Sequence, residues 1–319
     1  MIKTEQLHPC INELTVSVII PTYNYGRFIS EAIDSVFAQT YQPREVIVVD
    51  DGSTDETMNV LAQYEDRVRI IRQDKSGPAM ARNAGAQAAS GELLAFLDAD
   101  DVWMPRKLEL QVERFRADPE LGLIHCGVEE TDEAGVTLRR RRDGREGRMA
   151  DELLLMERPV VVGSFSAAII PASVFKSVAG FDTELPAVED WDLCYRIARQ
   201  YRIGFVPEVL FKYRLHGMNS HLDLPRRERA VFRAYAKAFA EISPHGYRLR
   251  RRAYGNLHMA LAARFYASRQ PVGALLHAIK SLWFRPRAVS LPIRWWRQQR
   301  ALRAAQGQSE EPRRELSGN

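Results

Sequence analysis

Short apolar runs and amphipathic stretches alternate along the first part of this chain. Val16 to Pro21 is rich in β-branched residues and closes on a proline, which predicts a strand. Phe28, Ile29, Ala32, Ile33, Val36 and Phe37 then recur at helical spacing, giving a helix to about Gln39. Glu45 to Asp50 reads as a second strand. Ser53, with Glu56 three residues on, forms a capping box and predicts a helix to about Tyr64. Val68 to Ile71 is a short third strand. Gly77-Pro78 opens another helix, with Gly91 past its end. Leu93 to Leu97 is an apolar strand that stops abruptly at Asp98. Pro105 then starts a helix carrying Leu108, Val112 and Phe115 on one side. Four alternations of strand and helix predict an α/β fold, with a mostly parallel, doubly wound sheet flanked by helices.

The pattern loosens further on. Leu121 to Val128 reads as a strand, Arg139 to Arg148 as a basic, glycine-containing loop, and Val160 to Pro171 as an apolar, strand-like run. Ser173 is placed to cap a short helix that stops at Gly180. Glu189-Asp190-Trp191-Asp192 opens a helix through Leu193, Ile197 and Ala198, with its acids at the end the helix dipole favours. Ile203 to Pro207 and Val209 to Leu215 read as edge strands. From about Pro225 only helical spacing remains. Tyr254 to Ala267 and Val272 to Phe284, joined at Gln270-Pro271, predict a helical hairpin. The expected division is a leader (1–14), an α/β domain (15–222), a basic helical region (223–305) and a disordered tail (306–319).

Charge sharpens that division. The net charge of +4 over 319 residues conceals two opposite parts. From Pro225 onward there are 20 Lys and Arg against 5 Asp and Glu, leaving 25 against 36 in Met1 to Leu224. An acidic front part implies a cation-dependent site, and a basic back part implies an anionic neighbour such as a membrane surface. Trp283, Phe284, Trp295 and Trp296, interleaved with Arg285, Arg287, Arg294 and Arg297, read either as a core-plus-surface pattern, the commoner case, or as a face for that neighbour. Cys10, Cys126 and Cys194 have neither metal-ligand nor disulfide spacing, which fits reducing cytosol. Met1 to Leu14 lacks the apolar core of a signal peptide, and no run is long enough to span a membrane. The expected location is therefore the cytoplasm, with at most a peripheral contact at the inner face of the membrane.

The chemistry concentrates where the strands end. The first strand runs into Thr22-Tyr23-Asn24, the second into Asp50-Asp51, and the fourth into Asp98-Ala99-Asp100-Asp101. In open α/β sheets ligands gather at the carboxyl ends of strands. Several like charges on one rim call for a hard divalent cation between them. Val18-Ile-Ile-Pro-Thr-Tyr-Asn, Val48-Val-Asp-Asp-Gly-Ser-Thr-Asp, Ala81-Arg-Asn-Ala-Gly, Phe96-Leu-Asp-Ala-Asp-Asp and Glu189-Asp-Trp-Asp-Leu occur in that order. Together they resemble the family 2 inverting glycosyltransferases of the GT-A fold, over about residues 15–222.

The resemblance implies a nucleoside diphosphate sugar donor, probed first as a UDP-sugar, with Mg2+ or Mn2+ and a hydroxyl acceptor on a glycan or lipid-linked carrier. It places Pro21, Thr22 and Tyr23 beside the nucleoside and Asp51 on the base. Arg82 falls near the nucleotide and Asp98 on the ribose side. Asp100 becomes a metal ligand, with the looser match His216 near the diphosphate or metal. Asp190 becomes the general base, and Glu189 and Trp191 flank it on the acceptor side. The processive members of that broad family carry a Gln-x-x-Arg-Trp motif and membrane helices. This sequence has neither, which implies single-sugar addition in surface polysaccharide synthesis. A nucleotidyltransferase making nucleotide sugars would need a glycine-rich basic loop after the first strand, where Pro21-Thr-Tyr-Asn-Tyr-Gly stands. A non-catalytic protein binding through the basic tail would not need the acidic rim, so no nucleic-acid partner is expected.

Overall fold

A computed structural model describes residues 14–217, 224–240 and 246–285. These fall into two compact units, the first ending with helix α8 (Leu224–Ala240) and the second comprising α9 (Tyr247–Ala267) and α10 (Pro271–Phe284). The helical hairpin expected from sequence is thus present in α9 and α10. The leader, the tail after Arg285, and with it Trp295 and Trp296, lie outside the described residues.

The first unit is built on one mixed sheet. Its first four strands are β1 (Val16–Thr22), β2 (Glu45–Asp50), β3 (Arg69–Arg72) and β4 (Leu93–Phe96). They are all parallel, in the order β3-β2-β1-β4. The order continues through β8 (Ile169–Pro171), β6 (Leu121–Thr131), β9 (Arg202–Arg214) and β5 (Val102–Trp103), with β7 (Thr137–Arg141) paired to β6. Strand β8 is antiparallel to both β4 and β6, whereas β9 runs parallel to β6.

Every residue of β1 is buried, because helices cover both faces of the sheet. Val16, Val18 and Ile20 point to one face, where α1 (Gly26–Phe37) lays Ile29, Ala32, Ile33 and Val36 and α4 (Lys107–Ala117) adds Leu108, Val112 and Phe115. Ile47 and Val49 of β2 point to the other, against Ala81 of α3 (Pro78–Ala88). The alternation follows from the two-residue repeat of a strand.

Parallel register then puts the functional ends side by side. Thr22 stands opposite Asp50, and Ile19 opposite Phe96, two residues before Asp98. Three strand ends predicted to share a rim do share it.

Several local expectations are corrected. The capping box does not form: α2 starts at Thr57 and runs to Leu61, capped by the Asp55 carboxylate accepting the Thr57 N–H at 3.0 Å. Ser53 Oγ instead accepts the Asn24 N–H at 2.9 Å, lacing the first rim loop to the second. Val160 to Pro171 is strand only over its last three residues. Ser164 accepts the Ser166 N–H, winds a 3-10 turn over Phe165–Ala167, and so breaks the run. Ser173 caps nothing, because α6 (Ala172–Ser177) follows directly from Pro171. Part of the basic loop is strand β7, held by Arg140 on Glu129 at 2.6 Å. The two expected edge strands are one strand, β9, lying between β6 and β5. Its register breaks between Val206 and Val209, where Pro207 lacks a ladder N–H. No described helix is long and apolar enough to cross a membrane.

Gly85 sets the distance between α3 and the sheet. A β-carbon there would lie 2.4 Å from Ile19 Cγ2 and 3.2 Å from Val49 Cγ2, both buried β-branched side chains with little room to turn. Gly85→Ala should therefore cost about 1–3 kcal/mol of stability through overpacking, read from urea denaturation midpoints at unchanged m-value.

Candidate active site

Arg82 lies on α3 one turn before Gly85, and the close approach of that helix brings its guanidinium under the rim. Its side chain is only 6% exposed. Nη2 sits 2.6 Å from Asp98 Oδ1, and Nη1 sits 3.2 Å from Asp190 Oδ1 and 3.4 Å from Glu189 Oε1. One cation thus joins the end of β4 to the start of α7 (Glu189–Ala198). Its charge is held firmly by burial being outweighed by Asp190, Asp98 and Glu189. Arg82 Nε and Glu189 Oε2 are buried without a hydrogen-bond partner among the described residues. Such orphans are rare in a finished core and mark a polar site rather than packing.

Beyond Asp98 the chain turns tightly, with the Asp101 N–H on the Asp98 carbonyl at 3.0 Å. Asp98 N–H donates to Ser166 Oγ, and Ser164 and Ser166 both donate to Asp101 Oδ2, at 2.5 and 2.6 Å. Asp101 is fully buried, and burial together with Asp100 and Asp98 raises its pKa well above the carboxylate range, against those serine bonds. It is a structural brace, holding the turn so that its neighbours face outward. Arg214 at the end of β9 adds its Nε to the Asp100 carbonyl at 3.1 Å.

Asp100 Oδ2 meets His216 Nε2 at 2.8 Å, and both side chains are buried. His216 is positioned by rings, with Phe28 at 5.1 Å and Tyr25 at 5.9 Å between centroids. A carboxylate oxygen and an imidazole nitrogen suit Mn2+ and Mg2+, and Mn2+ the better of the two because of the nitrogen. No group of three or more His, Cys, Asp or Glu gathers among the described residues. Asp100 and His216 are thus two donors of the chemical class such an ion takes.

The opposite end of the rim has a different character. Asp51 Oδ1 accepts from Gln73 Nε2 at 2.7 Å and the Ser76 N–H at 2.8 Å, while Oδ2 accepts the Gly77 N–H at 2.8 Å. Gly77 makes that approach at φ 95°, a backbone angle that glycine adopts freely. Tyr23 lies under Lys75, with Nζ 3.9 Å from the ring centroid. Thr22 Oγ1 is buried with no partner among the described residues, and Pro21 is buried within β1. Asn24 takes φ 58° and accepts the Thr54 N–H at 2.8 Å, closing the loop over the strand ends.

Asp190 faces the rim from the first turn of α7, with 39% of its side chain exposed. Its enclosure pushes the carboxyl up to about 7; Arg82 pulls it down, and Glu189 and Asp98 push it up further. Trp191 turns away from the rim. Its indole donates to the Leu153 carbonyl at 3.1 Å and stacks with Tyr195 and with Tyr235 of α8.

The sequence assigned Arg82 and Asp98 to the nucleotide, Asp190 to the base and Glu189 to the acceptor side; the structure brings these four together, and separately Asp100 with His216. Sequence reasoning missed Ser164, Ser166, Arg214, Lys75, Tyr25 and Phe28. Lys75-Ser76-Gly77 directly after a strand was the one readable signal; the serines are distant in sequence and announce nothing. Cys126 and Cys194 are buried free thiols, with Cys126 pushed by burial up to about 12, which excludes a thiolate role.

Residues 17–178 match glycosyl transferase family 2, half of the chain, and the chain belongs to that family. An uncharacterized glycosyltransferase of Rickettsia felis is 36% identical over 207 residues, 63% of this chain but 34% of its own length. The chain thus spans about a third of that relative. TuaG of Bacillus subtilis, named as a teichuronic acid biosynthesis glycosyltransferase, is 44% identical over 102 residues, 31% of this chain and 40% of TuaG. The fold matches the mannosyltransferase PcManGT of Pyrobaculum calidifontis, solved with GDP-Man and Mn2+. That match has TM-score 0.60 at 25% identity, over 90% of this chain and 84% of the other.

Replacing Arg82 by Gln leaves three carboxylates facing one another. The cost should approach about 3 kcal/mol at pH 8, since removing one partner strands buried charge. It should shrink at pH 5.5, where Asp190, with its pKa near 7, is already protonated. Denaturant titrations of both proteins at the two pH values measure the difference.

Proposed function

We propose that this chain is an inverting, metal-dependent glycosyltransferase of hexosyltransferase type. It moves one sugar from a nucleoside diphosphate sugar, a UDP-sugar in our reading, to a hydroxyl of a glycan or lipid-linked acceptor. The observation that carries the proposal is the bridge from Asp98 through Arg82 to Asp190. It sets a carboxylate with a near-neutral pKa on the same rim as the Asp100–His216 pair.

Asp190 would accept the proton of the attacking acceptor hydroxyl, and its pKa near the working pH suits a general base. The new bond forms at the anomeric carbon as the bond to the diphosphate breaks on the opposite side, which inverts that centre. Asp100 and His216 would hold Mg2+ or Mn2+, whose contribution when bound is to neutralise charge on the departing diphosphate. Thr22 Oγ1 and Arg82 Nε offer unused polar atoms near the nucleotide. Asp51 Oδ2 accepts one bond from its own chain, so a lone pair remains for a nucleobase N–H. Glu189 would steady the base from beside it, and Trp191, turned away from the rim, would anchor the start of α7 through its stack.

The likeness to TuaG supports a role in bacterial surface polysaccharide synthesis. The manganese in PcManGT supports the ion, while its GDP-mannose makes the base a matter for assay. We place the protein in the cytoplasm, in peripheral contact with the inner face of the membrane where lipid-linked acceptors reside.

Asp190→Asn should lower transfer by about 10²–10⁴-fold while leaving UDP affinity, measured by calorimetry, unchanged. In the wild type kcat/KM should rise with pH through about 7 and level off above it, because the base acts only when deprotonated. A pH profile that is flat from 5.5 to 8.5 removes Asp190 from the role. Chelation with EDTA should abolish transfer and added Mn2+ restore it. Asp100→Ala should raise the Mn2+ concentration needed, read from activity titrations.

A further inference from the structure

Helix α10 has its polar side in and its apolar side out. Gly273, His277 and Ser281 face α9: a β-carbon at Gly273 would lie 2.6 Å from the Phe265 ring, and Ser281 Oγ donates to the Gly255 carbonyl at 2.8 Å. His277 stacks on Phe265 and lies 2.9 Å from His258, Nδ1 to Nδ1. The other side carries Val272, Leu275, Leu276, Ile279 and Trp283, at i, i+3, i+4, i+7 and i+11. All are exposed, Leu275 at 62% and Trp283 at 81%. A soluble helix does the reverse. A continuous apolar stripe of this kind marks a surface that something covers.

The charge around the stripe says what covers it. Residues 246–285 hold seven Arg and one Lys, with no Asp or Glu. A second copy would set this charge against itself. Residues 286–305 bring five more Arg and no acid, so the positive charge continues along the chain. Where α9 begins and α10 ends, Tyr247, Arg250, Arg251, Trp283 and Phe284 line a groove of about 530 Å3. Guanidinium groups beside aromatic rings, next to an apolar stripe, match phosphate headgroups above acyl chains. At 14 residues α10 is too short to cross a bilayer and the right length to lie on one.

We propose that α10 is a bilayer-docking helix. Its Leu275–Leu276–Ile279–Trp283 face enters the acyl boundary of an anionic membrane, and Arg250 and Arg251 hold lipid phosphates. This deepens the proposed function in one respect only: it names the surface that would carry the enzyme to a lipid-linked acceptor.

The test is flotation of the full-length protein with vesicles of phosphatidylcholine alone or with one quarter phosphatidylglycerol. The wild type should float with the anionic vesicles and stay behind with the neutral ones. Leu276→Glu/Ile279→Glu, at exposed positions that should leave the melting temperature unchanged, should weaken binding by about tenfold or more. Arg250→Glu/Arg251→Glu should remove the preference for phosphatidylglycerol. The proposal is overturned if the wild type floats with neither vesicle, or if the Leu276/Ile279 variant floats as well as wild type. A wild-type dimer that this variant turns into a monomer in light scattering also overturns it, making the stripe a subunit interface. Calorimetry with UDP and with GDP, each with Mn2+, on the same proteins separates the two claims. Nucleotide binding without flotation defeats the docking helix alone, and flotation with neither nucleotide bound defeats the transferase reading alone.

Discussion

A single buried guanidinium holds this site in place. Arg82 is surrounded by Asp98, Glu189 and Asp190, which come from segments about a hundred residues apart in sequence. Taking an arginine out of water is costly, and only close carboxylates repay it. Glu189 is buried like the arginine, while Asp98 and Asp190 stay partly open to water. The arginine thus ties the end of β4 to the start of α7. One positive charge against three negative ones still leaves an excess. With Asp100 near by, that excess is the charge that the proposed cation would offset.

The guanidinium reaches the rim because the backbone beneath it is closely packed. Gly85 lets α3 lie against Ile19, and Gly77 starts the helix at an angle that also ties its first turn to Asp51. A side chain at Gly85 would push the helix, and Arg82 with it, off Ile19, whereas at Gly77 there is room for one and only the φ of 95° resists it. The remaining rim is fixed by loops bonded to one another. Ser53 bonds Asn24, Asn24 bonds Thr54, and Ser164 and Ser166 hold Asp101. The functional acids therefore lie on rigid connections rather than free loops, which is what positioning of a reacting hydroxyl requires.

The parallel part of the sheet was legible because fully buried strands write themselves as β-branched runs, as in Val16 to Ile20. The acids that end them were legible because an apolar run stopping at Asp is abrupt. What escaped were features set by partners far away. Pro207 sits in a register break of one continuous strand, and a proline in sequence signals only an end. Ser53 and Glu56 satisfy the capping pattern, but Asn24 claims the serine and Asp55 caps the helix instead. Asp101 looks like its neighbours in Asp98-Ala-Asp-Asp. Only its burial and its two serines make it a brace while Asp98 and Asp100 face the site. Local sequence reports propensity, and these outcomes were decided by competition for the same donor or acceptor.

Asp190 and Asp101 make the same point from opposite sides. Both are carboxyls with raised pKa, and both are enclosed among acids. Asp101 has no exposure and receives hydrogen bonds from fixed hydroxyls, so its proton state serves the fold. Asp190 keeps a large part of its surface open; Arg82, the cation that pulls its pKa down most, is shared with two other acids, and Arg227 pulls the same way. Shared in this way, Arg82 can stabilise the carboxylate without holding it fully ionised. A base must be ionised to accept a proton and basic enough to take it. Had Arg82 been paired to Asp190 alone, the carboxylate would be a weak base. Without Arg82 the carboxyl would hold its proton more tightly. In the proposed role of Asp190 as base, division of that cation among three acids would set it between those limits.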